Sequence, residues 1–339
     1  MDFKIIDKIL SDERPYRLKQ VNKAIFKDLL TDWNDATNLP LELRKTLSQQ
    51  FPLTIDARII DSRESDSVKA IIRLNGDMLI ETVLMQHKTG RNTVCVSSQI
   101  GCALDCLFCQ TGKLGYRRNL DPSEIIIQIL FFQRYLKTRG SSISNIVFMG
   151  MGEPFLNYDN VLDAVRSIND YEKFEIGARH ISISTAGLPE KIKLFADEKI
   201  QVNLAVSLNA PNDELRSRIM PFNQKYKIPE LMESVEYYIK KTNRKVMFEY
   251  VLIENLNDSD ENAKELVDLL KGILCLVNLI PYNGEPPLKP PLKIRTSTFK
   301  DILQENGLNV TLRSRFGSDI KSACGQLVFG EEKNNEKGG

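Results

Sequence analysis

The spacing of apolar side chains changes along the first 90 residues of the chain. Over residues 1–60 they recur three or four positions apart, which predicts helices. Two following segments alternate between apolar and polar residues on either side of Asn75-Gly76, a strong signal for a β-hairpin. The pattern therefore predicts a helical accessory domain over 1–60 and a β-hairpin linker over 61–90.

From residue 91 onward, apolar strand patterns alternate with amphipathic helical patterns. The predicted strands are residues 94–97, 145–149, 180–184, 202–207, 245–252 and 274–280, with a last short strand at 309–312. The predicted helices are residues 122–136, 158–167, 189–196, 228–241, 260–270 and 296–305. Six such units with nearly continuous apolar strands predict an α/β fold whose parallel sheet is buried on both faces. Because the crossovers are right-handed, we expect a partial (βα)6 barrel over 91–330, with functional loops at the strand C-termini and a disordered tail over 331–339.

The composition excludes several classes of protein. The 46 basic and 45 acidic residues leave a net charge of +1, so any nucleic-acid surface must be a local patch. No apolar run approaches the roughly 20 residues that span a bilayer, and the charged N-terminus has no signal-peptide core. Six cysteines do not form a disulfide scaffold in a chain of 339 residues, so we expect a cytoplasmic protein without membrane association.

Three of the six cysteines, Cys102, Cys106 and Cys109, occupy one short loop directly after the first predicted barrel strand. Thiolates this close repel one another unless a cation holds them, so the spacing predicts a metal centre rather than three buried apolar side chains. Structural zinc normally takes four protein ligands, and no second Cys or His pair follows. Three cysteines suit instead a cubane iron–sulfur cluster that leaves one iron open for a substrate ligand. A structural metal protein that binds RNA is an alternative.

The C-x3-C-x2-C loop, with Phe108 before its third cysteine, resembles the radical S-adenosylmethionine (SAM) superfamily. Further motifs narrow the resemblance to the RlmN/Cfr family of RNA adenosine methyltransferases. They are Cys95-Val-Ser-Ser-Gln-Ile-Gly-Cys102, Arg118-Asn119-Leu120, Gly150-Met-Gly-Glu-Pro154 and Ser318-Asp-Ile-Lys-Ser-Ala-Cys324-Gly-Gln-Leu327. The match covers about residues 81–327. It implies a radical SAM barrel, one [4Fe-4S] cluster held by the three cysteines, and two SAM molecules per turnover.

The resemblance also implies a route to a carbon atom of adenine that is not nucleophilic. Cys324 matches the cysteine that takes a methyl group from one SAM, because a thiolate is an excellent nucleophile toward SAM. A deoxyadenosyl radical from a second SAM then removes hydrogen from this S-methyl group, and the methylene radical adds to adenine. Cys95 matches the resolving cysteine, which forms a transient disulfide with Cys324. Without the resemblance, Cys324 would be interpreted as a buried small side chain and Cys95 as a spare ligand, while Cys275 is interpreted as core.

Other positions match the SAM contacts of the family. They are Gly152, Glu153, Ser184, Ser207, Leu208, Asn209 and Asn283. The Glu153 carboxylate suits the amino group of SAM, and a glycine beside it lets the backbone approach a ligand closely. Asn209 departs from the family, which usually has a histidine there, and asparagine cannot be protonated. Glu81 matches the proton acceptor of the family, although a hairpin glutamate is otherwise interpreted as a solvated strand residue.

As substrates, the resemblance implies adenosine 2503 of 23S rRNA and adenosine 37 of tRNA, both methylated at C2. Cfr-type members methylate C8 of the same rRNA adenosine, and Pro154 together with the Ala-Leu pair after Cys102 favours the C2 group. A non-methylating radical SAM enzyme is the alternative from another class, but it leaves Cys95 and Cys324 without a role. A flavodoxin-type electron donor and a monomeric state complete the expectation.

Two groups of cationic residues suit contact with RNA phosphates, and a solvated surface is the alternative interpretation of each. One group follows the cysteine loop and consists of Lys113, Arg117 and Arg118, with Tyr116 available for base stacking. The other lies on one face of a predicted N-terminal helix and consists of Lys19, Lys23 and Lys27. We therefore expect the accessory domain over 1–60 to bind RNA.

Overall fold

A computed structural model describes residues 1–63, 66–284, 286–313, 318–320 and 325–327. Its helices are α1 (Lys4–Ile9), α2 (Tyr16–Asn22), α3 (Leu41–Gln50), α4 (Gln110–Lys113), α5 (Pro122–Lys137), α6 (Tyr158–Asn169), α7 (Pro189–Asp197), α8 (Asp213–Ile219), α9 (Ile228–Thr242), α10 (Asp260–Leu270) and α11 (Lys293–Glu305). Its strands are β1 (Ala57–Asp61), β2 (Ser67–Arg73), β3 (Leu79–Gln86), β4 (Asn92–Cys95), β5 (Gln99–Ile100), β6 (Arg118–Asn119), β7 (Asn145–Phe148), β8 (Ile181–Thr185), β9 (Asn203–Ser207), β10 (Val246–Leu252), β11 (Cys275–Pro281) and β12 (Val310–Leu312). None of these helices, which come from the described part of the chain, has the length and apolar character needed to cross a membrane.

Within the described residues, ten strands form one sheet in the order β1-β2-β3-β4-β7-β8-β9-β10-β11-β12, and β5 pairs separately with β6. Neighbours from β1 to β4 are antiparallel, whereas neighbours from β4 to β12 are parallel. Among the described strands, β1 and β12 are the two ends of this order, so the barrel is open. The predicted α/β partial barrel is therefore confirmed, and each of its predicted strands lies within two residues of an observed one.

The hairpin prediction is confirmed, but the helical interpretation of residues 1–60 is wrong at its end. Strands β2 and β3 pair antiparallel with Ile72 opposite Ile80, around a turn at Asn75–Asp77. Residues 57–61 form β1, which pairs with β2, and its side chains are largely exposed, so no apolar alternation marks it in the sequence. Strand β3 also pairs with β4, so the hairpin extends the barrel sheet.

Carboxylates pair with the predicted row of N-terminal lysines. The pairs are Lys19–Glu172 (3.1 Å), Lys23–Asp28 (2.6 Å) and Lys27–Glu175 (2.8 Å). The first and third of these connect the accessory helices to the loop after α6. Exposed ion pairs are screened by solvent, so they orient this contact more than they stabilise it. Phosphate binding by these lysines would require breaking the pairs, so the interpretation as a solvated surface is favoured.

A buried polar residue fixes the chain where it leaves the first barrel strand. Gln128 lies on α5 and interrupts the apolar stretch at residues 125–132. Its side-chain oxygen accepts from Ser97 N (2.8 Å), and its Nε2 donates to Ser97 O (3.0 Å). Helix α5 is itself held by a capping box between Asp121 and Glu124. The capped helix therefore positions the segment that runs from β4 to the three cysteines.

Candidate active site

A cavity of about 850 Å³, including its mouth, opens at the C-terminal ends of the parallel strands. The cavity wall is formed by the cysteine loop, the loop after β7, and the last residues of β8 to β11. Its polar lining includes Cys102, Cys106, Cys109, Gly152, Glu153, Ser184, Ser207, Asn209, Glu249 and Arg313. The structure thus brings together the three predicted cluster ligands and five of the seven predicted SAM contacts.

The cysteine loop is held from inside and from a neighbouring helix. Within the loop, Cys109 N donates to Cys106 O (2.9 Å). Between these two cysteines, Leu107 N donates to Ile219 O at the end of α8 (2.9 Å). Sequence reasoning did not predict α8, although Asn212 caps its first turn with its side chain. The loop is therefore fixed on an element that the apolar pattern did not reveal.

The three thiols are a donor set that needs compensating positive charge. Burial raises the pKa of Cys102 to about 12, and repulsion from Cys109 and Glu153 adds to this rise. Burial also holds the pKa of Cys106 well above its usual value, and the other two cysteines reinforce the effect. Among the described residues, no three Cys, His, Asp or Glu side chains converge on the position of a single metal ion. The thiols instead face a shared cavity, and an iron–sulfur cluster with three cysteine ligands fits their chemistry.

Glu153 follows β7, and both of its carboxylate oxygens are bonded to the backbone. Its Oε2 accepts from Ala186 N (2.7 Å) and its Oε1 accepts from Phe155 N (2.9 Å). Burial raises the pKa of this carboxyl to about 7, while these hydrogen bonds oppose the rise. An ammonium group in the cavity stabilises the charged form further. The residue therefore fits the predicted contact with the amino group of SAM.

Gly152 occupies a position that no other residue fits. Its φ is +97°, and a Cβ would lie 2.5 Å from the Cβ of Gln99. Gln99 Oε1 in turn accepts from Glu153 N (2.8 Å). A side chain at Gly152 therefore strains the backbone and displaces the residue that holds the Glu153 loop.

Glu249 is a cavity residue that sequence reasoning missed. Ser184 Oγ donates to Glu249 Oε2 (2.7 Å), and Ser207 Oγ donates to the same oxygen at 3.5 Å. Arg313 Nη1 lies 3.6 Å from Glu249 Oε1. The available signal was a single glutamate in the otherwise apolar strand β10. The two predicted serines therefore meet at one buried carboxylate.

The remaining predicted SAM contacts differ in their placement. Asn209 lines the cavity with a φ of +59°, which asparagine tolerates, and its Oδ1 accepts from Val251 N (2.9 Å). Its side-chain oxygen thus fixes the backbone of β10. Leu208 is fully buried and lies outside the cavity wall. Asn283 also lies outside that wall, and its carbonyl accepts from Gln326 Nε2. The structure therefore does not bring Leu208 and Asn283 to the cavity.

Glu81 is fully buried on β3, so its interpretation as a solvated strand glutamate is wrong. Its Oε1 lies 3.2 Å from Nζ of Lys69, which is only 3% exposed on the neighbouring strand β2. Side chains alternate along a strand, so Glu81 shares a face of β3 with Val83, which lies opposite Cys95 in β4. The predicted proton acceptor therefore belongs to the same face of the sheet as the predicted resolving cysteine.

Cys95 is buried in a small apolar cluster at the end of β4. Its neighbours there include Val83, Met151 and Leu327. Cys275 is buried elsewhere, in the main hydrophobic core, where burial raises its pKa to about 11. The interpretation of Cys275 as a core residue is therefore confirmed.

Cys324 lies outside the described residues, but residues 325–327 lie within them. Gly325 O accepts from Gln110 N (2.7 Å), and Leu327 O accepts from Thr111 Oγ1 (2.8 Å). Both donors belong to α4, which directly follows Cys109. The segment after Cys324 therefore contacts the cysteine loop and, through Leu327, the neighbourhood of Cys95.

The cationic residues after the cysteine loop differ in exposure and pairing. Lys113, Tyr116 and Arg117 are exposed. Arg118 instead forms a bidentate ion pair with Glu124, with N–O distances of 2.6 and 2.8 Å. The predicted phosphate contact of Arg118 is therefore not favoured, because its guanidinium is bound to the start of α5.

Known proteins are similar to this chain over most of its length. The sequence profile of the Radical SAM superfamily matches residues 96–267. The probable dual-specificity RNA methyltransferase RlmN of Dictyoglomus thermophilum is 47% identical over 93% of this chain and 91% of the relative. The protein of the same name from Bacillus subtilis (strain 168) is 41% identical over 96% of this chain and 90% of the relative.

A solved structure agrees with these sequence relatives. The crystal structure of a radical SAM methyltransferase from Sphaerobacter thermophilus has a TM-score of 0.91 and 43% identity, and the match covers 94% of this chain and 95% of that chain. Both the sequence and the fold thus match over nearly the whole length. The chain therefore belongs to the radical SAM superfamily and, within it, to the RlmN family of RNA methyltransferases.

Proposed function

We propose that the protein methylates C2 of adenosine in 23S rRNA and in tRNA, using a methyl group carried by Cys324. The names of its relatives, which describe dual-specificity RNA methyltransferases, support RNA as the substrate. Pro154, which follows Glu153 in the loop after β7, supports the choice of C2 over C8. The observation that carries the proposal is the contact of residues 325–327 with the cysteine loop.

Gly325 supports a methyl-carrying thiol beside the cluster ligands. Its φ is +81°, and a Cβ on it would lie 2.9 Å from Phe108 O. The backbone of this segment therefore lies directly against the backbone of the cysteine loop. Gly325 follows Cys324 directly in the sequence. Leu327, two residues further on, packs in the cluster that contains Cys95. This arrangement supports a resolving role for Cys95 toward Cys324.

Each of the other site residues has a defined task in this proposal. Cys102, Cys106 and Cys109 hold a [4Fe-4S] cluster, which when bound supplies the electron that cleaves SAM. Glu153 binds the amino group of SAM, because its two oxygens are already aimed by backbone N–H groups. Ser184 and Ser207 line the same cavity, and their hydroxyl oxygens accept hydrogen bonds from bound SAM while their protons are donated to Glu249. Glu81, which is paired with Lys69, accepts a proton from the RNA adduct.

The exposed group beside the cysteine loop supports the RNA contact. Lys113 and Arg117 present their charges to solvent, and the ring of Tyr116 is 48% exposed. Exposed cations suit phosphates, and an exposed ring suits stacking on a base extruded toward the cavity. A flavodoxin-type electron donor and a monomeric enzyme complete the proposal.

The test uses protein purified without oxygen and reconstituted with iron and sulfide. It is incubated with SAM, a reductant and unmodified rRNA fragments or tRNA, and the digested nucleosides are identified by mass spectrometry. We expect 2-methyladenosine. Detection of 8-methyladenosine would favour the Cfr-type reaction, and SAM cleavage without a methylated nucleoside would favour a non-methylating radical SAM enzyme. Cys324→Ala is expected to abolish RNA methylation and to retain SAM cleavage.

A further inference from the structure

Arg216 is a fully buried charged residue on α8, behind the cysteine loop. The apolar residues Leu215 and Ile219 of the same helix belong to a cluster with Leu104, against which Cys102 and Cys106 pack. Ile219 also accepts the hydrogen bond from the backbone of the cysteine loop. Arg216 therefore lies on α8, the helix that supports the proposed cluster ligands.

The guanidinium of Arg216 has four hydrogen-bond acceptors, and among the described residues none of them is a carboxylate. They are Leu208 O (3.0 Å from Nε), Asn223 Oδ1 (2.8 Å from Nη1), Ala186 O (2.5 Å from Nη2) and Ser207 O (3.2 Å from Nη2). Asn223 in turn donates to Asp213 Oδ1 (2.9 Å). The Asp213 carboxylate is therefore connected to the guanidinium through the side-chain amide of Asn223. Three of the four acceptors are backbone carbonyls at the ends of β8 and β9.

These strand ends carry the proposed SAM contacts. The amide of Ala186 donates to Glu153 Oε2, while its carbonyl accepts from Arg216, so both sides of this residue are fixed. The carbonyl of Ser207 is held in the same way, and its hydroxyl lines the cavity. The planar fork of arginine connects the two strand ends through one rigid group. Lysine, with a single ammonium on a flexible stem, does not reproduce this geometry.

The charge of Arg216 also needs compensation. A buried cation without a direct carboxylate partner is unfavourable unless other negative groups stabilise it. Burial lowers its pKa to about 10, so the side chain remains charged at neutral pH, and interaction with Cys106 opposes this decrease. The three cysteines would hold an iron–sulfur cluster, and its thiolate ligands would supply negative charge to compensate Arg216.

We propose that Arg216 is a positioning residue that holds the ends of β8 and β9 in the geometry that SAM requires and raises the reduction potential of the cluster with its buried charge. Stabilising the more negative, reduced cluster is the expected effect of a nearby cation. The inference rests on the proposed function in one respect, because it assumes that the cysteines hold a cluster and that the cavity binds SAM.

The experiment compares Arg216→Lys and Arg216→Met with the wild type, all loaded with cluster. Arg218→Met is the matched control, since Arg218 lies on the same helix and is exposed. SAM affinity is measured from the change in the electron paramagnetic resonance spectrum of the reduced cluster, and the midpoint potential is measured by redox titration. Both Arg216 variants are expected to bind SAM about tenfold more weakly or worse, because charged hydrogen bonds to the strand ends are lost. Arg216→Met is expected to shift the midpoint potential to more negative values, whereas Arg216→Lys is expected to leave this potential nearly unchanged. The control variant is expected to change neither the SAM affinity nor the midpoint potential.

Circular dichroism of each variant separates these effects from unfolding. If Arg216→Met does not fold, Arg216→Lys decides, because it keeps the charge and most of the volume. Wild-type SAM affinity in Arg216→Lys, or a wild-type potential in a folded Arg216→Met, would overturn the inference. Neither measurement involves RNA. A wild-type enzyme that binds cluster and SAM but methylates no RNA would therefore contradict the proposed function and leave the role of Arg216 intact.

Discussion

Replacing Lys69 by methionine is expected to destabilise the fold far more than replacing a surface lysine. Lys69 and Glu81 are 3% and 0% exposed, and their charged atoms are 3.2 Å apart. Removing one member of a buried ion pair leaves a buried charge that has lost this partner, which costs about 3–5 kcal/mol. At about 2.1 cal/mol/K per residue, the 339 residues give an unfolding entropy of about 0.7 kcal/mol/K. Lys69→Met is therefore expected to lower Tm by about 4–7 °C.

The assay is thermal unfolding of the cluster-loaded protein, followed by circular dichroism. Lys88→Met serves as the control, because Lys88 is exposed just after β3. The double variant Lys69→Met/Glu81→Leu removes both charges and is expected to recover most of the lost stability, since apolar replacements of buried pairs are often neutral or stabilising. The reasoning is refuted if Lys69→Met has the same Tm as the control. It is also refuted if the double variant loses as much stability as Lys69→Met and Glu81→Leu lose together.

Three further predictions concern the cavity itself. Gly152→Ala should weaken SAM binding about tenfold, because the added Cβ would lie 2.5 Å from the side chain of Gln99. SAM affinity is measured by equilibrium titration, and an unchanged affinity would contradict the steric argument. Cys106→Ser should lose the iron and the brown colour on reconstitution, whereas Cys275→Ser, in the core, should keep both, and equal iron content in the two would refute the assignment of the ligands. Thr111→Val removes the 2.8 Å hydrogen bond to Leu327 O, which is worth about 1 kcal/mol. This variant should methylate RNA less well than the wild type and should bind the same amount of iron. Full methylation would show that the contact is dispensable.

The sequence predicts most of this fold because its signals are local. The alternation around Asn75-Gly76 and the apolar strands each act over a few residues, and both have the predicted structure. Strand β1 and helix α8 were missed for the opposite reason. β1 has exposed side chains and is defined by pairing with β2, and α8 is short and inserted between larger elements.

The candidate site shows the same division between local and long-range information. The spacing of the three cysteines predicts that they meet in one place, and the structure places all three at one cavity. Glu249 and Arg216 come from segments far from the cysteine loop in the sequence. Their positions at the cavity and at the loops around it therefore follow only from the folded barrel and could not be predicted from local patterns. Arg118 illustrates the converse case, because its charge suggested phosphate contact while Glu124, six residues later, already provides a partner.

Mass spectrometry of the enzyme after incubation with SAM tests the central claim, that Cys324 carries the methyl group. The cluster-loaded protein is incubated with SAM labelled with deuterium in its methyl group, without RNA, and then digested with trypsin. The account predicts the labelled methyl on the peptide that contains Cys324, and its absence from that peptide in Cys324→Ala. A label on a different residue, or no labelled peptide from a protein that binds SAM and holds its cluster, would contradict it.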